Sequence, residues 1–208
     1  MSNNKSSAGS VRQKNEQLIL ESAKKEFVAN GFQGASIKNI SERAGIPRAN
    51  IHYYFEDKAD IYRRILDGIL ETWNSQYDTL VVDNSPEKAL KSYIRSKILY
   101  SKEDPDASRI FASEIIHGAP ILMDYLSSDF KRWIQSKVTV IESWIEKGLM
   151  DTVNPHHLIF LIWSATQHYA DFNVQVLAGL DKDEMTDKDF EEVIESLTAI
   201  ILKGCGIT

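Results

Sequence analysis

The stretch Ser36-Ile37-Lys38-Asn39-Ile40-Ser41-Glu42-Arg43-Ala44-Gly45-Ile46-Pro47-Arg48-Ala49-Asn50-Ile51-His52-Tyr53-Tyr54-Phe55-Glu56-Asp57-Lys58 decides the fold. Ser36 is a good N-cap for a short helix with Ile37, Ile40 and Ala44 on its apolar face. Gly45 suits the left-handed conformation that ends a helix. Pro47 stands where a second helix begins, and its missing N–H costs little there. Two short helices joined by a glycine turn form a helix-turn-helix, whose second helix enters a DNA major groove.

Within that second helix Ile51 and Phe55 face inward. The polar remainder supplies hydrogen-bonding groups of the kind that read bases and phosphates. Arg48 matches a guanine edge or a phosphate and Asn50 an adenine, with Ala49 and His52 beside them. Tyr53 and Lys58 suit backbone phosphates, and Ser36 and Lys38 at the preceding helix are further expected DNA contacts. The alternative is a small amphipathic helix with a solvated polar face. It leaves unexplained why turn, proline and polar cluster all fall where the motif needs them.

From Ala35 to Ile46, and again from Ile51 to Lys58, the sequence resembles the DNA-binding domain of TetR-family transcriptional regulators. The Tyr53-Tyr54-Phe55-x-x-Lys58 ending is its most specific part. The resemblance implies a three-helix DNA-binding head on a larger helical body that binds a small effector and dimerises.

Charge supports a divided molecule. The 208 residues carry a net charge of −6. Residues 1–64 hold 11 Lys or Arg and 7 Asp or Glu, or +4, which leaves −10 for the rest. A basic head on an acidic body suits DNA contact at one end only. The expected division is an arm at 1–12, a helix-turn-helix domain at 13–58 and an effector-binding and dimerisation domain at 59–208. The arm lacks the apolar core of a secretory signal, and no apolar run approaches a membrane span. Cys205 stands alone, which rules out an intrachain disulfide and fits a cytoplasmic protein.

Apolar spacing predicts an all-α chain with no strand. A first helix runs from about Lys14 to Asn30 and closes at Gly31. A longer one from Lys58 to about Asp78 carries an i, i+4 stripe of Ile61, Ile65, Ile69, Trp73 and Tyr77, which links head to body. Helices follow from Pro86 to about Tyr100, from Pro105 to Ile116, from Asp129 to Lys147, from His156 to about Gly179 and from Thr186 to Lys203. The His156 helix is apolar on most sides. With the Phe130-to-Trp144 helix it is the expected self-association face of a homodimer.

Two body segments, Lys97 to Pro120 and Ile162 to Phe172, resemble the pyrimidine-utilisation repressor (RutR) subgroup of the same family, whose effector is uracil or thymine. Trp163 and Gln167 share a helix face, and Trp73 and Tyr77 end the connecting helix. Aromatic faces stack a planar ring, and a glutamine amide matches a cyclic amide with one donor and one acceptor. Lys97, Ser108 and Arg109 are the expected partners of exocyclic oxygens. Against this stands the reading that the tryptophans are core and that Arg109, Glu114 and Asp171 form buried ion pairs.

No cofactor is expected. Glu114-x-x-His117 is half of a di-iron Glu-x-x-His pair with no second copy, and no nucleophile accompanies His168 and Asp171. The sequence therefore reads as a ligand-responsive regulator, most simply a repressor, that binds double-stranded operator DNA. A TetR-like regulator of another metabolite and a helical bundle without DNA function remain the alternatives.

Overall fold

Glycines and caps divide the chain into its elements. The structure, a computed structural model, describes residues 4–76, 80 and 85–207, with side chains from residue 11 onward except 74–76. Helix α1 spans Asn4–Gly34, so helical backbone reaches well into the segment expected to be an arm. Gly31 interrupts it at φ 65, ψ 173, close to where the expected first helix closes. Helix α2 (Ile37–Ala44) is capped by Ser36, whose Oγ accepts the Asn39 amide at 3.1 Å. Gly45 at φ 66, ψ 24 then turns the chain, as a left-handed C-cap requires. Helix α3 is Arg48–Tyr54, with Pro47 immediately before it.

Helix α4 (Lys58–Gln76) is the link between the two ends of the molecule. Ile61, Ile65, Leu66 and Ile69 are buried, each contributing about 1.5–3 kcal/mol of apolar burial. Their cluster also takes in Ile19, Phe27, Ile40, Ile51 and Phe55 of the head, and Ala107, Ile110, Ala119 and Leu122 of the body. One core thus crosses the expected boundary at residue 58.

The body is built from α5 (Pro86–Glu103), α6 (Pro105–Ile116), α7 (Met123–Tyr125), α8 (Lys131–Glu146), α9 (Pro155–Asp171), α10 (Asn173–Leu180) and α11 (Asp187–Gly204). Each of α5, α6 and α9 has proline in its first turn and a side-chain cap, from Ser85, Asp104 and Asn154. A capping box closes α11, with Thr186 and Asp189 satisfying each other's backbone N–H. No strand occurs among the described residues, so the all-α expectation holds.

Three details differ from the expected elements. The helix expected from Asp129 is preceded by a π-helical turn, Leu126–Phe130, continuous with α7 and α8. The helix expected from His156 to Gly179 breaks at Phe172, whose φ of −116 and ψ of 31 separate α9 from α10. The third concerns the dimer face. Ile134, Val138, Ile141 and Trp144 of α8 are all buried within the chain. That leaves polar Arg132, Gln135, Ser136 and Thr139 outside, so α8 offers no apolar face to a partner. Helix α9 does, with Phe160 47% and Leu161 54% exposed.

Candidate DNA-binding face and effector pocket

The head presents α3 outward. Ile51 and Phe55 anchor it in the core, while Arg48, Ala49, Asn50, His52 and Tyr53 are exposed. Arg12 of α1 lies 5.5 Å from the Tyr53 ring centroid, and Asn15 donates to the Tyr54 hydroxyl at 3.1 Å. Glu26, buried in α1, accepts from Asn39 at 2.8 Å and pairs with Arg43 at 3.5 Å. These contacts fix α2 and α3 against α1, so the exposed row is rigidly displayed. Lys38 is exposed beside Glu42 at 3.8 Å. Ser36, half-exposed, uses its oxygen as an acceptor for the helix cap, and its hydroxyl keeps a donor for a further partner.

Lys58 is the exception among the expected DNA contacts. Its Nζ donates to the carbonyls of Phe32 at 2.6 Å, Ala35 at 2.9 Å and Gln33 at 3.3 Å, and sits 4.7 Å from the Phe32 ring centroid. An ammonium has three donors, and all three are turned inward. Lys58 ties the end of α1 to the start of α4 and is withdrawn as a phosphate contact. Its place at the end of the Tyr-Tyr-Phe-x-x-Lys pattern has a folding reason instead.

In the body a cavity of about 480 Å³ opens between α4, α5, α6, α9 and the π-helical turn. Helix α9 points Trp163, Gln167 and Asp171 into it, four residues apart in a single stripe. Helix α5 adds Tyr93 and Lys97 at the same spacing, and α4 adds Leu70 and Trp73. Phe111, Ala112 and Ile115 of α6 form one wall, and Tyr125, Leu126, Phe130 and Trp133 another. The π-helical turn rotates Leu126 and Phe130 toward the space, a common use of such turns at ligand sites. Trp133 stacks on Trp163 at 5.8 Å and 26°, and Trp73 meets Phe111 edge-on at 4.6 Å. Trp163 donates its indole N–H to the Tyr93 hydroxyl at 2.6 Å.

Charge enters this apolar space at two points. The Lys97 Nζ lies 4.5 Å from the Trp73 ring centroid, and the residue is 5% exposed. Burial lowers its pKa to about 8, although the Asp171 carboxylate opposes the shift. Burial likewise raises the pKa of Asp171, against a hydrogen bond from Ser108 and the charges of Lys97 and Arg109.

Of the expected effector contacts, Trp73, Lys97, Trp163 and Gln167 meet at this cavity. Tyr77 lies outside the described residues. Ser108 and Arg109 do not line it. The Ser108 Oγ donates to Asp171 Oδ1 at 2.6 Å, and the Arg109 Nε donates to the Ala170 carbonyl at 3.0 Å. Both are held by the C-terminal end of α9, and Ser108 acts on the cavity only by orienting Asp171. Arg109 pairs with Asp106 at 3.4 Å, while the Glu114 carboxylate accepts the amides of Ile121 at 2.6 Å and Leu122 at 3.1 Å.

Sequence reasoning considered Asp171 only as an alternative ion-pair member or a neighbour of His168, not as a cavity residue, and passed over Tyr93. Extending the Trp163–Gln167 step by one more turn reaches Asp171, and stepping back one turn from Lys97 reaches Tyr93. The aromatic wall from α6 and the π-helical turn carries no such signal.

Comparison with known proteins fits this geometry. Residues 19–65 match the model for bacterial regulatory proteins of the tetR family. Residues 66–208 match that for the C-terminal region of YcdC-like proteins, itself a TetR-type domain. The chain belongs to the TetR family of transcriptional regulators. It is 38% identical over 188 residues to the HTH-type transcriptional regulator RutR of Escherichia coli, covering 90% of this chain and 89% of that one. With the HTH-type transcriptional repressor NicS of Pseudomonas putida it shares 32% identity over 176 residues, 82% of each. Among solved structures the ketosteroid regulator KstR2 of Mycobacterium tuberculosis superposes with a TM-score of 0.75 at 17% identity, covering 91% of this chain and 94% of that one. The TetR-family regulator PfmR of Thermus thermophilus gives 0.71 at 19%, covering 89% and 97%. These structures share the fold.

The chain is therefore a TetR-type DNA-binding transcriptional regulator, and its family comprises regulators rather than enzymes. Among the described residues no helix is long and apolar enough to cross a membrane.

Proposed function

We propose that the protein is a cytoplasmic homodimeric repressor whose hold on its operator is released by a small planar cyclic imide such as uracil or thymine. The observation that carries this reading is the placing of Lys97, Gln167 and Asp171 in a cavity otherwise walled by aromatic rings. A ring of that chemistry stacks between the aromatic walls and offers both carbonyl oxygens and N–H groups. Lys97 donates to a carbonyl, Asp171 accepts from a ring N–H, and the Gln167 amide does either. The volume of about 480 Å³ lies within the ordinary range for small-molecule sites. The 38% identity to RutR supports the same class of ligand.

On the DNA side, Arg48, Ala49, Asn50, His52 and Tyr53 are the contacts of α3, with Ser36 and Lys38 flanking them. Two heads in a dimer reach successive major grooves about 34 Å apart. The apolar Phe160 and Leu161 of α9 form the centre of the dimer face.

Thermal unfolding of the purified protein against uracil, thymine, cytosine and related rings tests the pocket. A ligand bound only by the native state adds about 2.7 kcal/mol at one hundred times its dissociation constant. Stabilisation by uracil or thymine that disappears in Gln167→Ala and Trp163→Ala is the expected result. A flat response to every pyrimidine removes the ligand assignment.

A further inference from the structure

Helix α6, like α4, lies between the head and the pocket, and the carboxylate of Asp104 caps its start. Asp104 accepts the Ala107 amide through Oδ1 at 3.1 Å, the N-cap of α6. Through Oδ2 it accepts from Lys24 of α1 at 2.9 Å. The side chain of Lys24 is 16% exposed, and that of Asp104 34%, so the pair is partly shielded from solvent. Burial by itself would lower the Lys24 pKa, yet the hydrogen bond and charge of Asp104, joined by those of Glu21 at 3.3 Å on the same helix, raise it overall.

We propose that Asp104 is the positioning residue through which α6 steers the DNA-binding head, one oxygen holding the helix and the other holding α1. This deepens the effector reading and rests on it for the identity of the signal, but the joint itself is a property of the fold. Helix α6 has two working faces. Phe111, Ala112 and Ile115 line the pocket. Ala107 and Ile110 lie in the core shared with α1 and α4. A ligand that presses on the first face tilts or slides the helix, and the Asp104 cap moves with it. Lys24 lies on α1 between Ala23 and Phe27, which pack in the head core, so a displaced Asp104 pulls on the head and not on a loose side chain. Midway along α6 the Tyr62 hydroxyl of α4 donates to the Ile110 carbonyl at 3.4 Å, and at its far end Glu114 accepts the amides of Ile121 and Leu122 in the body. The helix is thus tied to head-bearing elements at its start and its middle, and of these two ties the one at Asp104 is the charged pair.

The test uses Asp104→Asn, which keeps a good N-cap while removing the charge, together with Lys24→Met and the conservative Lys24→Arg. The first readout needs no ligand. Spin labels at two exposed sites, Lys38→Cys on the head and Lys188→Cys on the body, report the head–body distance by pulsed electron resonance. Buried Cys205 is changed to Ser, and labelled chains are diluted in unlabelled protein. Asp104→Asn and Lys24→Met should shift or broaden the distance distribution, and Lys24→Arg should restore it. Distributions identical to the parent in both disrupting variants would overturn the joint.

The second readout is the ratio of operator affinities without and with uracil. It should fall at least about fivefold in the same variants while uracil affinity is retained. An unchanged ratio beside an undisturbed distance overturns the proposal a second way. If the parent ignores uracil while the distances move, the pyrimidine assignment fails and the joint stands.

Discussion

Lys97 is a lysine held where its charge is poorly solvated. Its pKa of about 8 lies below the ordinary lysine value of 10.5, because the charged form has lost water and regained only part of that through Asp171. The native protein therefore gives up this proton before the unfolded chain does. Between about pH 8 and 10.5 the unfolded state binds more protons, so stability rises with pH across that window from this group alone. Comparing chemical denaturation of the parent and Lys97→Met from pH 7 to 10.5 isolates the effect, since other titrations cancel. The parent should gain on the variant as pH rises; a constant difference would show that Lys97 is not desolvated. For the proposed imide effector the same burial makes a lysine effective, since its hydrogen bond to a ring carbonyl oxygen is worth more where water is absent. Chemistry at this scale was half legible: Trp163 and Gln167 share a helix face by spacing alone. Ser108 and Arg109 were misplaced because their partners on α9 lie more than sixty positions away, beyond any local pattern.

Caps and breaks govern the elements. Ser36 has one observed task and one proposed, since its oxygen caps α2 and its hydroxyl is proposed as a DNA contact. Substitution separates them. Ser36→Ala should lower stability by about 1 kcal/mol through loss of the cap. Ser36→Asp should keep the cap yet weaken operator binding, because it sets a negative charge against phosphates. Melting and operator titration read the two effects independently, and equal DNA affinity in parent and Ser36→Asp would take Ser36 out of the interface. Helix starts were readable because Ser85-Pro86, Asp104-Pro105 and Asn154-Pro155 announce them locally, each pairing a cap with a proline. The π-helical turn at Leu126–Phe130 was not, since it needs one extra residue per turn and no residue type demands that. The break at Phe172 is equally silent in sequence; afterwards the ring lies 5.1 Å from that of His168, nearly parallel.

At the scale of the whole molecule, the apolar character of the α9 segment points to self-association, and its Phe160 and Leu161 are exposed, whereas Ile134, Val138, Ile141 and Trp144 of α8 are turned into the core. Phe160→Glu together with Leu161→Glu should therefore leave the fold intact and halve the sedimenting mass. Operator affinity should drop steeply, since a single head reaches only one half-site. A doubly substituted protein that still sediments as a dimer would place the interface elsewhere.

The core that runs from Ile19 through Ile65 to Ile110 and Leu122 also bears on how such regulators trade parts. A chimera that grafts a foreign residue 1–58 segment onto this body inherits a seam through the middle of a packed cluster. Mismatched side chains there cost stability in proportion to the cavity or crowding they create. Operator preference is therefore more easily exchanged through the exposed row on α3 alone than by transplanting the head, and natural recombinants that do swap heads should carry matching changes at Ala107, Ile110, Ala119 and Leu122.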